Sequence, residues 1–256
     1  MVVDSNLQNP DSPNDSSTSY RVLIGVCTLN EVDNIETMVT RLRAAIPTAD
    51  ILVVDDRSTD GTSQKVEAMV NQDDQVALII RQDRGLGGAI RHAMQAAVDG
   101  GYDFFLNLDG DLSHDPDQLS ALLRRATSAP TVDVVIGSRY VDGGSITGWP
   151  LRRRMMSRMV NKFATLCLRL PVKDCSGSMR CYRVSTLKRM GLETLRSNGY
   201  AVLEEILVRL NRDGAAMAEV PITFTDRTMG ESKLTIREAA RSTGQMLAMA
   251  LKRETN

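Results

Sequence analysis

The strongest constraint on the fold is an alternation between Arg21 and Gly137, where short apolar runs take turns with amphipathic helical patterns. Apolar segments at Arg21 to Cys27, Ile51 to Val54, Val76 to Ile80, Phe104 to Leu108 and Val132 to Gly137 read as strands. Between them, helical periodicity covers Glu31 to Ile46, Thr62 to Val70, Leu86 to Val98 and Gln118 to Thr127. Strands that are apolar on both faces and separated by helices predict an α/β fold, with a mainly parallel central sheet and helices on both faces. Ligands of such sheets gather outside the carboxyl ends of the strands, so the site is sought there.

The ends of the chain differ from this middle. Residues 1–19 are rich in Ser, Asp, Asn and Pro, contain no Lys or Arg and have little to bury, which predicts a disordered tail. Beyond Trp149-Pro150 the alternation stops. There the pattern predicts a helix from Leu151 to Leu170, a loop through Asp174 to Tyr182, two helices, a strand near Ala218 to Phe224 and a last helix from about Leu234. The expected division is a tail over residues 1–19, one folded domain over residues 20–234 and an amphipathic helix over residues 235–256.

Charge is unevenly spread. The formal net charge of −1 argues against a nucleic-acid partner. Yet Arg152 to Arg183 carries nine cations and one anion, Asp174, a local excess of +8. On a helical wheel Met155, Met156, Met159, Val160, Phe163, Leu166, Cys167 and Leu170 share one broad face, which Arg154, Arg158, Lys162 and Arg169 adjoin. That is the pattern of a helix lying in a membrane interface, and also of a surface helix with a core-facing stripe. No uncharged segment approaches the roughly 20 apolar residues that span a bilayer, so any membrane contact would be peripheral. With no secretory signal pattern and no paired cysteine spacing, a cytoplasmic location is expected.

Polar residues cluster at the strand ends. Val54-Asp55-Asp56-Arg57-Ser58-Thr59-Asp60-Gly61-Thr62 runs a strand into carboxylates that suit a ribose or a base, with Asp60 or Ser58 also suited to cap the following helix. A phosphoacceptor receiver domain pairs its acids after the first strand, whereas this pair closes the second. Asn107-Leu108-Asp109-Gly110-Asp111 places two carboxylates one residue apart at a strand exit, where Mg²⁺ or Mn²⁺ bridging a diphosphate is the natural occupant. Gly110 there allows close backbone approach. A phosphatase of the haloacid-dehalogenase type would need its nucleophilic Asp at Asn107, and a carboxamide cannot form the acyl phosphate. Arg84-Gly85-Leu86-Gly87-Gly88 opens a helix without the full dinucleotide spacing, so it fits a close helix start as well as a phosphate cradle. Arg227 and Lys233 flank a Gly-containing turn, as a lid closing over phosphates would.

In this order the segments resemble a family 2 glycosyltransferase of the GT-A fold, and within it the polyprenol-phosphate mannosyltransferases. The resemblance runs from about Val22 to Leu234. It is most specific in Gly137-Ser138-Arg139-Tyr140, Trp149-Pro150, the Asp174 to Arg180 loop, Gly199-Tyr200 with Glu205, and Glu219-Val220-Pro221 through Gly230-Glu231-Ser232-Lys233. It implies that Glu31, Val54 and Asp56 hold the nucleoside, while Asp109, Gly110 and Asp111 meet the metal and the diphosphate. Arg153, Arg227 and Lys233 would contact phosphates, and Asp111 and Asp174 would serve catalysis, Asp174 chiefly by orienting. The implied reaction moves mannose from GDP-mannose to a polyprenyl phosphate with inversion, at the cytoplasmic face of a membrane. The alternatives are the same scaffold with a UDP-sugar, or a non-catalytic nucleotide-sugar-binding subunit. Leu29 stands where the family usually has an aromatic, Met179 likewise, and no carboxy-terminal membrane domain is expected. The helix from Leu234 to Leu251 would dock on the core, a membrane partner subunit or the bilayer.

Overall fold

The computed structural model describes residues 20–226, so the expected tail, the last helix, Arg227 and Lys233 lie outside the described residues. The sheet is built from β1 (Val22–Thr28), β2 (Asp50–Asp55), β3 (Val76–Ile80), β4 (Phe104–Asp109), β5 (Val134–Ser138), β7 (Arg180–Arg183) and β8 (Met217–Pro221). Their order is β3-β2-β1-β4-β7-β5-β8. All neighbours are parallel except β7, which runs antiparallel to both β4 and β5. A small second sheet pairs β6 (Ser145–Thr147) with β9 (Thr223–Thr225).

The period of two in the strands feeds two separate cores. Leu23, Cys27, Leu52, Val54, Phe105, Val134 and Ile136 point to one side, where α3 (Leu86–Asp99), α5 (Leu151–Leu168), α6 (Val184–Met190) and α7 (Val202–Arg212) cover them. Val22, Ile24, Val26, Ile51, Val53, Phe104 and Leu106 point to the other, beneath α1 (Ile35–Ala45), α2 (Thr62–Val70) and α4 (Leu119–Ser128). Covered on both faces, a strand such as β1 is buried at all seven positions.

Three expectations are corrected. The loop through Tyr182 ends in a strand: β7 is short and bounded by Arg180 and Arg183, so it carries no apolar signal. The single strand near Ala218 to Phe224 is two strands in different sheets, because the chain turns at Pro221-Ile222 and Ile222 enters the core. Pro221 closes an edge strand, where its missing N–H is tolerated. The first helix starts at Ile35, since Asn30 takes a left-handed conformation (φ 54°) and residues 32–34 form a turn.

The glycines opening α3 serve packing. A Cβ on Gly87 would lie 2.2 Å from the Ser197 carbonyl oxygen and 3.0 Å from Asn198 backbone, whose carbonyl already accepts the Gly87 N–H. Gly87→Ala therefore has to push backbone apart, and it is expected to cost about 1–3 kcal/mol in urea unfolding.

Candidate active site

The carboxyl ends of β1, β2, β4 and β5 converge, and Cys27 registers how closely. Burial first, and then the charges of Asp109 and Asp56, push its thiol well above the ordinary value. The carboxylates at the ends of β2 and β4 thus share one neighbourhood at the end of β1.

At the ends of β1 and β2 the acids divide by their partners. Asp55 is fully buried and accepts from the Ser58 amide (2.8 Å) and the Ser63 hydroxyl (3.2 Å), so it braces the turn. Asp56 takes an ion pair from Arg81 on one oxygen and the Gly85 amide (2.7 Å) on the other, which ties β2 to the start of α3. Asp60 accepts from the Thr62 amide (3.0 Å) and the Val32 amide (3.0 Å) and so fastens the loop before α2; the cap itself is Gly61, left-handed (φ 99°) and without a side-chain cap bond, which corrects the capping expected of Asp60 or Ser58. Glu31 is buried and accepts from the Asn34 side chain at 2.8 Å. The Val54 side chain lies wholly in the core, paired across the ladder with Cys27.

On the other side, Asp109 ends β4 and Asp111 follows in a turn with Leu112 left-handed (φ 59°). Gly110 sits against β1, its N–H on the Cys27 carbonyl (3.2 Å), and a Cβ there would lie 2.8 Å from Thr28 Cγ2. Asp109 Oδ2 accepts the Ser178 hydroxyl at 2.8 Å, and Asp111 Oδ1 accepts the Ser113 amide at 3.0 Å. Among the described residues no cluster of three or more Asp, Glu, His or Cys side chains is placed to hold a metal. Two hard oxygen donors on one turn fit a divalent cation such as Mg²⁺ or Mn²⁺, for which a diphosphate would have to supply further oxygen ligands.

Between these halves runs the segment from Lys173 to Arg180, fastened from four directions. Glu219 on β8 accepts the amides of Lys173 (2.8 Å) and Asp174 (3.0 Å). Asn161 on α5 accepts the Cys175 amide (3.0 Å) and donates to the Lys173 carbonyl. Met179 accepts the Gly137 N–H (2.9 Å), and Asn107 on β4 donates to the Ser178 carbonyl (3.0 Å). Asp174 itself is fully buried, receiving Nε (2.7 Å), Nη2 (2.8 Å) and the backbone N–H (3.1 Å) of Arg139. Burial alone would raise the Asp174 carboxyl; the Arg139 cation and its hydrogen bonds outweigh that and hold it below the usual carboxylate range.

Arg153, in the first turn of α5, lies 4.0 Å from the Trp149 ring centroid and 3.3 Å from Asp226 Oδ2. Trp149 Nε1 donates to the same carboxylate at 3.0 Å. The strand pair β6 and β9 brings Asp226 there, so Arg153 is paired with an acid. Gly110, Asp109, Asp111, Glu31 and Asp56 occupy strand ends or the loops leaving them, while Asp174 lies in the loop that enters β7 from α5. Sequence reasoning gave no role to Arg139, Asn161, Ser178 or Glu219. The signal for Arg139 was its place directly after an apolar strand, and for Glu219 a carboxylate inside one.

The model of "Glycosyl transferase family 2" matches residues 23–191. The undecaprenyl-phosphate mannosyltransferase of Micrococcus luteus is 38% identical over 215 residues, covering 84% of this chain and 87% of that protein. The polyprenol monophosphomannose synthase of Mycolicibacterium smegmatis is 36% identical over 226 residues, covering 86% and 84%. Among solved structures, glucosyl-3-phosphoglycerate synthase of Mycobacterium tuberculosis with UDP has a TM-score of 0.64 at 18% identity, covering 91% of this chain and 80% of that one. The same enzyme with Mn²⁺, UDP and glucosyl-3-phosphoglycerate has a TM-score of 0.62 at 18% identity and the same coverage. The chain belongs to glycosyl transferase family 2: it is a glycosyltransferase with the GT-A fold expected from its sequence.

Asp174→Asn leaves the Arg139 charge buried without its counterion, at a cost of about 3–5 kcal/mol near neutral pH. A carboxyl held low contributes stability above its unfolded pKa of about 4 and loses it as pH falls through its folded value. The stability gap between wild type and variant, read by denaturant unfolding, should therefore close below about pH 4.

Proposed function

We propose that this protein transfers mannose from GDP-mannose to the phosphate of a polyprenyl monophosphate, with inversion at the anomeric carbon. The observation that carries the reading is the match, over most of both chains, to two proteins named for mannosyl transfer to lipid phosphates. Supporting it are the Asp109 and Asp111 turn and the exposed face of α5 beside Arg153.

A phosphate monoester whose second pKa is near roughly 6 is largely dianionic at neutral pH, so it can attack without a general base. Asp174 is engaged by Arg139 and by the amides of Ser176 (3.3 Å) and Gly177 (3.2 Å), which suits orientation and not proton transfer. Asp109 and Asp111 would hold Mg²⁺ or Mn²⁺, which when bound neutralises charge developing on the leaving diphosphate. Glu31, Asp56 and the floor around Val54 would receive the nucleoside. Arg153 would exchange Asp226 for a phosphate, joined by Arg227 and Lys233 from beyond the described residues.

The acceptor's apolar tail calls for work at a bilayer surface. Leu151, Met155, Met156, Met159, Val160, Phe163 and Leu166 of α5 are all exposed, and Arg152, Arg154, Arg158 and Lys162 among them are exposed too. The side of α5 that meets the core is instead Asn161, Ala164, Thr165 and Leu168. This is the interfacial pattern, with cations level with lipid phosphates, and it supports peripheral attachment at the cytoplasmic face. No described helix is long and apolar enough to cross a membrane. A membrane partner subunit is a further candidate for this face.

Labelled GDP-mannose and UDP-glucose, each offered with polyprenyl phosphate and Mg²⁺ or Mn²⁺, test the donor. Label is expected in the lipid phase from GDP-mannose, and transfer from UDP-glucose alone would replace this reading with the UDP-sugar alternative. Asp111→Ala should lower kcat by at least about a hundredfold. Cosedimentation with anionic liposomes at low salt tests the surface: Met155→Ser together with Phe163→Ser should reduce the bound fraction while leaving the unfolding midpoint near that of wild type.

A further inference from the structure

Beneath the fastened loop lies a carboxyl group that the reaction scheme does not use. Glu204 and Glu205 both sit buried in the first turn of α7. Glu205 is fully engaged, accepting the amides of Arg196 and Ser197 and pairing with Arg209 at 3.0 Å. Glu204 Oε2 is buried with no hydrogen-bond partner.

The neighbour that matters is Arg180 on β7, the largest fully buried side chain among the described residues. Its guanidinium is spread over neutral oxygens: Nε on the Gly177 carbonyl (2.8 Å), Nη2 on the Cys175 carbonyl (2.7 Å), and Nη1 on the Leu203 carbonyl (2.7 Å) and the Tyr182 hydroxyl (3.2 Å). Four of the five N–H groups that a guanidinium offers are thereby used, two of them on the loop itself. The charges within reach of Glu204 are Arg180, Asp174 from the loop and Arg139 from the end of β5. Burial is the largest influence and pushes the Glu204 carboxyl up to about 7; the two cations oppose this and Asp174 adds to it. The adjoining Cys175 thiol is raised in turn, by burial and by Glu204.

We infer that Glu204 is a proton-linked positioning residue for the donor site. Protonated, it leaves Arg180 distributed over the loop carbonyls. Once its proton has passed to solvent, the carboxylate competes for the guanidinium, loosening the Gly177 and Cys175 carbonyls. The loop then holds Ser178 less firmly against Asp109, and the grip on the diphosphate weakens. The inference rests on assigning Asp109 to the donor diphosphate.

The direct test is a titration between about pH 5 and 9 of the wild-type protein carrying ¹³C-labelled glutamate. One carboxyl signal, absent from Glu204→Gln, should titrate near 7, and the Gly177 and Ser178 amide signals should move with the same midpoint. A midpoint in the ordinary carboxylate range, or loop amides that do not move, overturns the inference, and neither readout needs the donor to be known. Calorimetry of GDP and of UDP with Mn²⁺ then reads the consequence. From pH 6 to pH 8 the wild type should lose affinity severalfold relative to Glu204→Gln. Equal pH dependence in the two proteins overturns the coupling. Should Glu204→Gln not fold, the loop amide shifts of the wild type decide the matter alone. Binding of neither nucleotide to either protein sinks the donor-site assignment and, with it, the role given to Glu204 there; the titration still reports whether the proton moves the loop.

Discussion

Asp174 and Arg139 form a buried ion pair at the centre of the site, and the rest of the arrangement hangs on it. Removing two charges from water is expensive unless geometry and further hydrogen bonds compensate. Here the fork of the guanidinium meets both carboxylate oxygens, and the backbone N–H of Arg139 adds a third contact. Because Arg139 directly follows β5 and Asp174 opens the loop leading to β7, the pair sets where that loop leaves the sheet. Ser178 reaches Asp109 only from the position so defined. Neutral oxygens hold the other buried guanidinium of the loop, Arg180, so local geometry there depends on backbone carbonyls and is more readily altered by a nearby charge.

The reversed strand β7 explains how one loop can serve both halves of the site. Entering the sheet between β4 and β5 in the opposite sense, it returns the chain from the carboxyl edge and places Ser178 beside Asp109. Parallel strands alone would have delivered that segment to the far edge of the sheet.

Most of the α/β core was legible because strands buried on both faces write continuous apolar runs, as β1, β2 and β4 do. The strand-end carboxylates were legible for the same reason: a charge that ends such a run has to answer for its position. What escaped was encoded in partnership and not in pattern. Arg180 to Arg183 reads as loop, since two arginines in four residues carry no strand signal, yet Arg180 is buried, its guanidinium held by the Cys175, Gly177 and Leu203 carbonyls and the Tyr182 hydroxyl. Asp55 and Asp56 are adjacent and look equivalent, and only the third dimension separates a turn brace from a residue paired to Arg81. The two orientations open for the helix after Pro150 were likewise resolved by packing, which gives Asn161, Ala164, Thr165 and Leu168 to the core and leaves its methionines outside.

That outward face has an electrical consequence. The chain is nearly neutral as a whole, at −1, while α5 bears five exposed cations and no acid, and the strand-end acids lie elsewhere. Such a molecule has little monopole to draw it toward a charged sheet from afar, and its leading long-range property is a dipole. Near an anionic surface a dipole feels chiefly a torque, screened beyond about 8–10 Å in physiological salt. Arrival is then governed by ordinary diffusion, and the charge pattern acts late, as a rudder that turns the arginine-bearing side down before the apolar side chains make contact.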